Sequence, residues 1–399
     1  MQKHLKIING KIITPRGILK GHTLYCIDGK IAAITTSHEE MDPCIEIDAG
    51  GAYVSPGFID IHVHGGGGYD FMDNQVGEYM QIAATHARQG TTAMNPTTLS
   101  CGAEDLAATI RAYEQVAGAD YNGARFIGLH IEGPYFAMNQ RGAQDPRYIR
   151  NPDEQEYKAL IASTHVIRRW SAAPELPGAI AFGKYLRSKQ ILPAIAHTDA
   201  IYEEVAAAYH QAGYTLATHL YSAMSGVTRR NAFRYAGVVE SAYLLEDMFV
   251  ELIADGRHLP APLLKLAYRI KGADRIALIT DAMRAAGTRV TESMLGSRKD
   301  GLKVIVEDGV AKLPDHSAFA GSIATCDLLV RNMMQLAEVP LEEAVRMMTQ
   351  TPAVIMNVSA SKGSLEKGKD ADIVIFDEDI LVRKTIVGGT VIFSAGQSA

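Results

Sequence analysis

Within Ser55-Pro56-Gly57-Phe58-Ile59-Asp60-Ile61-His62-Val63-His64-Gly65-Gly66-Gly67-Gly68 the polar and apolar residues alternate strictly from Ile59 to His64. Strand side chains alternate between faces, so His62 and His64 point the same way with Asp60 behind them. Two imidazoles so spaced can bind one metal ion. The four glycines end the strand and let backbone come close to whatever sits there. The same residue types recur at the ends of other apolar runs. Glu132 ends Leu129-His130-Ile131-Glu132, His197 ends Ala194-Ile195-Ala196-His197, and His219 ends Ala217-Thr218-His219. Asp255 ends Ile253-Ala254-Asp255, and Asp281 ends Ile279-Thr280-Asp281. One histidine ending an apolar strand is ordinarily a hydrogen-bonded core residue. Ionisable groups at so many strand ends are another matter, because burying them together costs several kcal/mol each unless a metal or partner compensates.

Imidazole and carboxylate donors suit a divalent metal, zinc first, with iron, manganese or cobalt as alternatives. Glu132, His197 and His219 make a three-ligand set that leaves a position for water, whose pKa such a metal lowers to about 7. Asp281 is then placed to act as general base and later as general acid. His62 and His64 can hold a second metal with Glu132 bridging, so one or two metals per subunit are expected.

These residues need a scaffold that gathers strand ends. Eight apolar runs read as buried strands, at about 58–64, 91–97, 126–132, 166–172, 191–197, 215–219, 249–255 and 276–281. Helix-like stretches separate them, clearest at 75–88, 103–116, 201–211 and 263–270, and two more follow at about 324–337 and 341–349. Alternating strands and helices predict an α/β fold with a parallel sheet. Eight such units closing on themselves make a (β/α)8 TIM-type barrel, whose active site lies at the carboxyl ends of the strands. Residues 55–352 are assigned to it. A doubly wound open sheet is the rival, but no Gly-rich phosphate loop of either common pattern is present.

Both ends of the chain read as β. Asn9-Gly10 and Asp28-Gly29 lie between β-rich runs and predict hairpins, as does Gly388-Gly389. Residues 1–54 and 353–399 are expected to pair into one small β-sandwich. The chain of 399 residues is 47% hydrophobic with a formal net charge of −6, which argues against nucleic acid or an anionic membrane as the main partner. Its amino terminus lacks the apolar core of a signal peptide, and no apolar run is long enough to span a membrane. Cys26, Cys44, Cys101 and Cys326 are scattered without a Cys-x-x-Cys pair, so a reducing cytoplasm is the expected location.

Taken together, Pro56-Gly57-Phe58-Ile59-Asp60-Ile61-His62-Val63-His64-Gly65, His130-Ile131-Glu132-Gly133-Pro134, Ala173-Pro174-Glu175, His219-Leu220-Tyr221-Ser222-Ala223-Met224, Ala254-Asp255-Gly256-Arg257-His258, Thr280-Asp281-Ala282 and Ala320-Gly321-Ser322 resemble the amidohydrolase superfamily. Within it they are similar to the N-acetylglucosamine-6-phosphate deacetylase family, over essentially the whole chain. The resemblance implies hydrolysis of the acetamide of a 6-phosphorylated amino sugar. It implies Glu132, His197 and His219 as metal ligands and Asp281 as catalytic acid/base. It also implies backbone donors at Ser222 and Ala223, a phosphate held by Arg230 and His258, one of them from a neighbouring subunit of a homodimer, and a closing stretch Phe319-Ala320-Gly321. Arg229 and Arg234 are alternatives to Arg230. The fourth strand run offers no lysine that could be carboxylated to bridge two metals, which argues against a dihydroorotase, hydantoinase or urease type of site. Two departures fall on the sugar–phosphate side. Ser222 stands where the family usually has Asn, and Gln144 where it usually has His. The sugar is therefore open between the glucosamine and galactosamine epimers. The other readings are a different metal amidohydrolase, which would not need Arg230 and His258, and a non-catalytic sugar-phosphate sensor.

Overall fold

The structure is a computed structural model and describes residues 4–37 and 43–396. The remaining positions, including residues 1–3 of the amino terminus considered above, lie outside the described residues.

The middle of the chain is mixed α/β with parallel strands. These are β1 (Phe58–Val63), β2 (Thr91–Pro96), β3 (Leu129–Glu132), β4 (Ile167–Ala172), β5 (Leu192–Ile195), β6 (Leu216–Ala217), β7 (Phe249–Leu252) and β8 (Ile276–Leu278). Strands β3 to β8 form one six-stranded sheet in sequence order, and β1 and β2 pair beside it. Isolated parallel bridges Thr97↔His130 and Val63↔Ala282 link β2 to β3 and the end of β8 to β1. All residues of β1, β2 and β3 are buried, as expected of parallel strands covered on both faces. Helices α1 (Val76–Ala87), α2 (Ala103–Ala117), α3 (Glu154–Ser163), α4 (Ala179–Ser188), α5 (Tyr202–Ala207), α6 (Val238–Leu244) and α7 (Ala261–Lys271) fall between the strands, and α8 (Cys326–Ala337) and α9 (Leu341–Met348) follow. In α1 the buried residues are Tyr79, Ile82, Ala83, His86 and Ala87, the 3–4 spacing of an amphipathic face turned to the core.

One expected strand, 126–132, is split. Arg125–Phe126 pairs with β2, and pairing with β4 begins only at Leu129. Gly128 makes the break at φ +130, where a side chain would collide with Arg168. The Asn95 amide donates to its carbonyl at 2.8 Å.

Two further sheets flank this unit. Leu5–Ile8, Thr23–Ile27, Lys30–Thr35 and Ile45–Asp48 form a four-stranded sheet. Lys11–Thr14, Gly17–Leu19 and Tyr53–Pro56 join Ile373–Phe376, Val382–Val387 and Thr390–Ser394 in a six-stranded one, so the two ends of the chain do pair. The turns Asp28-Gly29 and Gly388-Gly389 are hairpins as expected. Asn9-Gly10 is not. Leu5–Ile8 pairs with Thr23–Ile27 and Ile45–Asp48, while Lys11–Thr14 pairs with Gly17–Leu19 and Tyr53–Pro56. The turn thus carries the chain from one sheet to the other. Packing outweighs the local signal here: Leu5, Ile7 and Ile12 share one apolar cluster with Leu24, Val54, Ile373, Ile375 and Ile386, drawn from both sheets.

The glycine run after β1 is a tight hairpin, Gly65–Gly66 pairing with Tyr69–Asp70. A Cβ at Gly65 would lie 2.2 Å from the Tyr69 carbonyl oxygen. Asp73, just beyond, anchors Arg284 through two hydrogen bonds of 2.7 and 2.9 Å, and Arg284 also donates to the Gly296 carbonyl. Burial raises the pKa of Asp73, but Arg284 and the Arg298 amide outweigh it and hold it below the ordinary value. A depressed carboxylate stabilises the fold above its unfolded pKa, and that contribution disappears as pH falls through the folded one. Asp73→Asn should therefore cost about 3 kcal/mol at pH 7. The gap between wild type and variant in urea unfolding should narrow steadily below pH 4.

Candidate active site

The strand-end residues converge. Nε2 of His62 and His64 lie 3.2 Å apart. Glu132 Oε1 sits 3.0 Å from His219 Nε2, 3.3 Å from His197 Nε2 and 3.6 Å from His62 Nε2, while Oε2 is 3.5 Å from His64 Nε2. Asp281 Oδ1 stands 3.1 Å from His64 Nε2 and 3.4 Å from His62 Nε2. All six residues are buried. Three of them, His197, His219 and Asp281, lie just past their strands with φ of 47°, 33° and 49°. Non-glycine residues pay for that region, and such strain concentrates at functional sites.

The far nitrogens explain the aim of the rings. His197 Nδ1 lies 2.8 Å from the Gln140 carbonyl, and His64 Nδ1 lies 3.2 Å from that of Thr97. With a proton on each Nδ1, each Nε2 lone pair faces the cluster. Glu132 is fixed by Gln144, whose Nε2 donates to Oε2 at 2.9 Å and whose Oε1 accepts from the Ser100 amide at 2.7 Å. Glu175, from the Ala-Pro-Glu motif, accepts from Thr198 Oγ1 and the Asp199 amide and so holds the loop carrying His197.

Burial opposes charge on His62, His64, His219, Glu132 and Asp281, but the groups answer one another. For His62 the Glu132 and Asp281 carboxylates outweigh burial and push the pKa up to about 10, and His64 is raised in the same way. Against burial, the imidazoles hold Glu132 and Asp281 below the usual carboxylate range. The positive charge that the carboxylates draw onto His62 and His64 is what a divalent cation supplies. The donors form two groups that fit one, His62–His64–Glu132 and Glu132–His197–His219, with ligand atoms within 4.8 Å of one another in each.

The cluster opens into a cavity of about 340 Å³. His64, Glu132, His197, His219 and Asp281 reach it from the strand ends. Gln144, Ser222, Ala223, His258, Phe319 and Gly321 are among the residues that line the rest. The other expected site residues are placed differently. Arg230 does not line this cavity. It is exposed, as are Arg229 and Arg234, on the antiparallel hairpin of Thr228–Arg230 and Phe233–Tyr235. Ala320 is fully buried beside the cavity, its amide donating to Ala311. The Ser222 amide donates to the His219 carbonyl at 2.9 Å, so it is committed to the turn. Asp255 lies in the loop past β7 and does not join the cluster. It accepts from the Arg257 and His258 amides and sits 2.7 Å from His258 Nδ1, which aims that ring at the cavity.

Some participants were not anticipated. Gln140 acts through its backbone carbonyl, which no side-chain pattern reveals. Glu251 and Arg169, both with no exposed surface, pair behind His62. The signal for Glu251 was available: it is the one charged residue in Phe249-Val250-Glu251-Leu252.

The chain matches the Amidohydrolase family over residues 53–392. It is 35% identical over 97% of both chains to the N-acetylglucosamine-6-phosphate deacetylase of Lysinibacillus sphaericus. It is 32% identical to the N-acetylgalactosamine-6-phosphate deacetylase of Escherichia coli O157:H7, over 95% of this chain and 97% of that one. Its fold superposes with a TM-score of 0.87 on a point mutant of N-acetyl-D-glucosamine-6-phosphate deacetylase from Mycobacterium smegmatis in complex with N-acetyl-D-glucosamine-6-phosphate, at 29% identity and covering 98% of this chain and 100% of that one. On this likeness along its full length, the chain belongs to the amidohydrolase family and, within it, to the N-acetylglucosamine-6-phosphate deacetylase family.

Proposed function

We propose that this chain hydrolyses N-acetylglucosamine-6-phosphate to acetate and glucosamine-6-phosphate, in amino-sugar catabolism. The observation that carries this reading is a single cavity that has the Glu132–histidine donor cluster and Asp281 at its base and His258 in its wall. One divalent metal, zinc by donor type, would be held by Glu132, His197 and His219, and a second by His62 and His64 with Glu132 shared; bound there, it activates water and polarises the acetamide carbonyl. Asp281 begins as a carboxylate, because its pKa is held down. Its Oδ1 takes a proton from the attacking water as the new C–O bond forms. It then delivers that proton to the nitrogen as the C–N bond breaks, so the neutral amine leaves together with acetic acid, which gives up its proton to become acetate.

The 6-phosphate is assigned to His258 and Arg230. A guanidinium suits a phosphate because it grips two oxygens at once. Since Arg230 lies outside the cavity of its own chain, we assign it to the neighbouring active site of a homodimer. The exposure of Phe233 (73%) and Val227 (59%) around the same hairpin supports an interface there. Replacing Arg230 or His258 with Ala should raise KM for the phosphorylated sugar on the order of tens-fold, with a far smaller change for the unphosphorylated one. Steady-state kinetics on both sugars checks this.

The same reading places the chemistry on a (β/α)8 barrel of residues 55–352. The bridges Thr97↔His130 and Val63↔Ala282 support its closure. Residues 1–54 and 353–399 are read as a β-sandwich domain around their common apolar cluster. No helix among the described residues is long and apolar enough to cross a membrane, and a cytoplasmic location is proposed.

N-acetylgalactosamine-6-phosphate is the second reading. It is favoured by the E. coli relative and by Ser222, which lines the cavity where the glucosamine family usually has Asn. Gln144 is less suited to select the epimer, because its amide is bound at both ends. Amine release should be assayed on both N-acetylhexosamine 6-phosphates and their unphosphorylated forms. The glucosamine phosphate should be the best substrate. A preference for the galactosamine phosphate would select the second reading, and no release from either phosphate would overturn both.

A further inference from the structure

Behind His62, in the wholly buried layer beneath the cluster, Arg169 and Glu251 form a two-pronged ion pair. Nη1 donates to Oε1, and Nη2 donates to Oε2 at 2.9 Å. The remaining bonds of the pair all run to residues next to donors of the cluster or to the donors themselves. Arg169 donates to the Ile61 carbonyl at 3.1 Å and to Thr218 Oγ1 at 2.7 Å, one residue before His62 and one before His219. Glu251 Oε2 accepts from the His219 amide at 3.3 Å.

The same oxygen stands 3.6 Å from His62 Nδ1, a buried nitrogen with no hydrogen-bond partner. That separation is too long for a hydrogen bond, and a slight turn of the ring closes it. A metal-binding histidine almost always donates its other N–H to a carboxylate or carbonyl, which fixes the tautomer and the ring. His64 and His197 face backbone carbonyls in this way. His62 instead faces a full carboxylate, one that Arg169 holds in place. Stability does not account for the pair, since buried ion pairs replaced by apolar residues often leave proteins equally stable.

We propose that Glu251, braced by Arg169, is a positioning residue for His62 that secures the second cation, the one between His62, His64 and Glu132. The inference rests on the two-cation reading above. With Nδ1–H turned to Glu251, the Nε2 lone pair of His62 faces His64 Nε2 and Glu132. Without the carboxylate, His62 is free to adopt the other tautomer, and its donor is lost to the cluster.

Metal-free full-length protein should be titrated with Zn²⁺ by calorimetry, with zinc counted after dialysis. Glu251→Gln removes the carboxylate. Because it strands the Arg169 charge, the neutral pair Arg169→Met with Glu251→Gln is titrated beside it. Wild type should take two equivalents. In both variants the first should bind as in wild type, and the second about 10–100-fold more weakly. A second equivalent of unchanged affinity in the variants would overturn the proposal while leaving the two-cation reading intact. Equal weakening of both equivalents would overturn it too, because it marks a general structural role. A wild type that takes only one equivalent would overturn the two-cation reading and the proposal with it.

Discussion

Asp281→Asn is expected to lower kcat for N-acetylglucosamine-6-phosphate on the order of 10³-fold, with little change in KM or metal content. The substitution keeps the size of the side chain but removes its charge and with it its capacity to take and return a proton. Asp281 is well placed for that work, with Oδ1 beside both His62 and His64 and the side chain at the cavity surface. Its neighbours hold it ionised, so wild type begins each turnover with the base ready. Metal content separates the two roles an acid can have here. If Asp281 chiefly held a cation, the variant would lose metal; if it chiefly moves a proton, the variant keeps metal and loses rate. Near-normal turnover would remove Asp281 from the mechanism.

Glu132→Gln should be at least as severe, through a different route. Glu132 is the one residue common to both donor groups. Its Oε1 faces His197 and His219, and its Oε2 faces His64. Gln at this position has no charge and sets an amide N–H₂ against ring nitrogens or against the Gln144 amide. Bound metal should fall below one equivalent, and turnover by about 10³-fold or more, since activation of water and carbonyl is lost together. Elemental analysis of the purified variant alongside kinetics checks both. Retention of two equivalents would show that the bridging role is wrong.

Much of this site could be read from the chain because its chemistry follows strand periodicity. Alternation in Ile59–His64 put His62 and His64 on one side, and their Nε2 atoms do meet. Strand ends located Glu132, His197, His219 and Asp281 for the same reason. The rule has a limit, which Asp255 marks. It too follows a strand, but the next residues turn back so that their amides and the His258 ring bond its carboxylate instead. Turn geometry of this kind depends on a few dihedral angles and leaves no periodic trace. Asn9-Gly10 failed in a related way: the dipeptide specifies a turn, but the sheet each arm joins is decided by which side of the shared apolar cluster its residues fill. Arg169 was hidden because Arg168-Arg169 gives no indication of which guanidinium faces inward. Ser222 was legible as a cavity residue, but the commitment of its amide to His219 was not. Arg230 marks the boundary of one chain: its exposed hairpin lies outside the cavity of its own chain.

The most direct test of the central claim is proton NMR of N-acetylglucosamine-6-phosphate incubated with the purified protein, before and after removal of metal by chelation and again after adding Zn²⁺. The account predicts an acetate signal growing in equal amount with glucosamine-6-phosphate, lost on chelation and restored by zinc. Zinc-loaded protein that leaves the acetyl signal of this sugar phosphate, and of its galactosamine epimer, unchanged would contradict it.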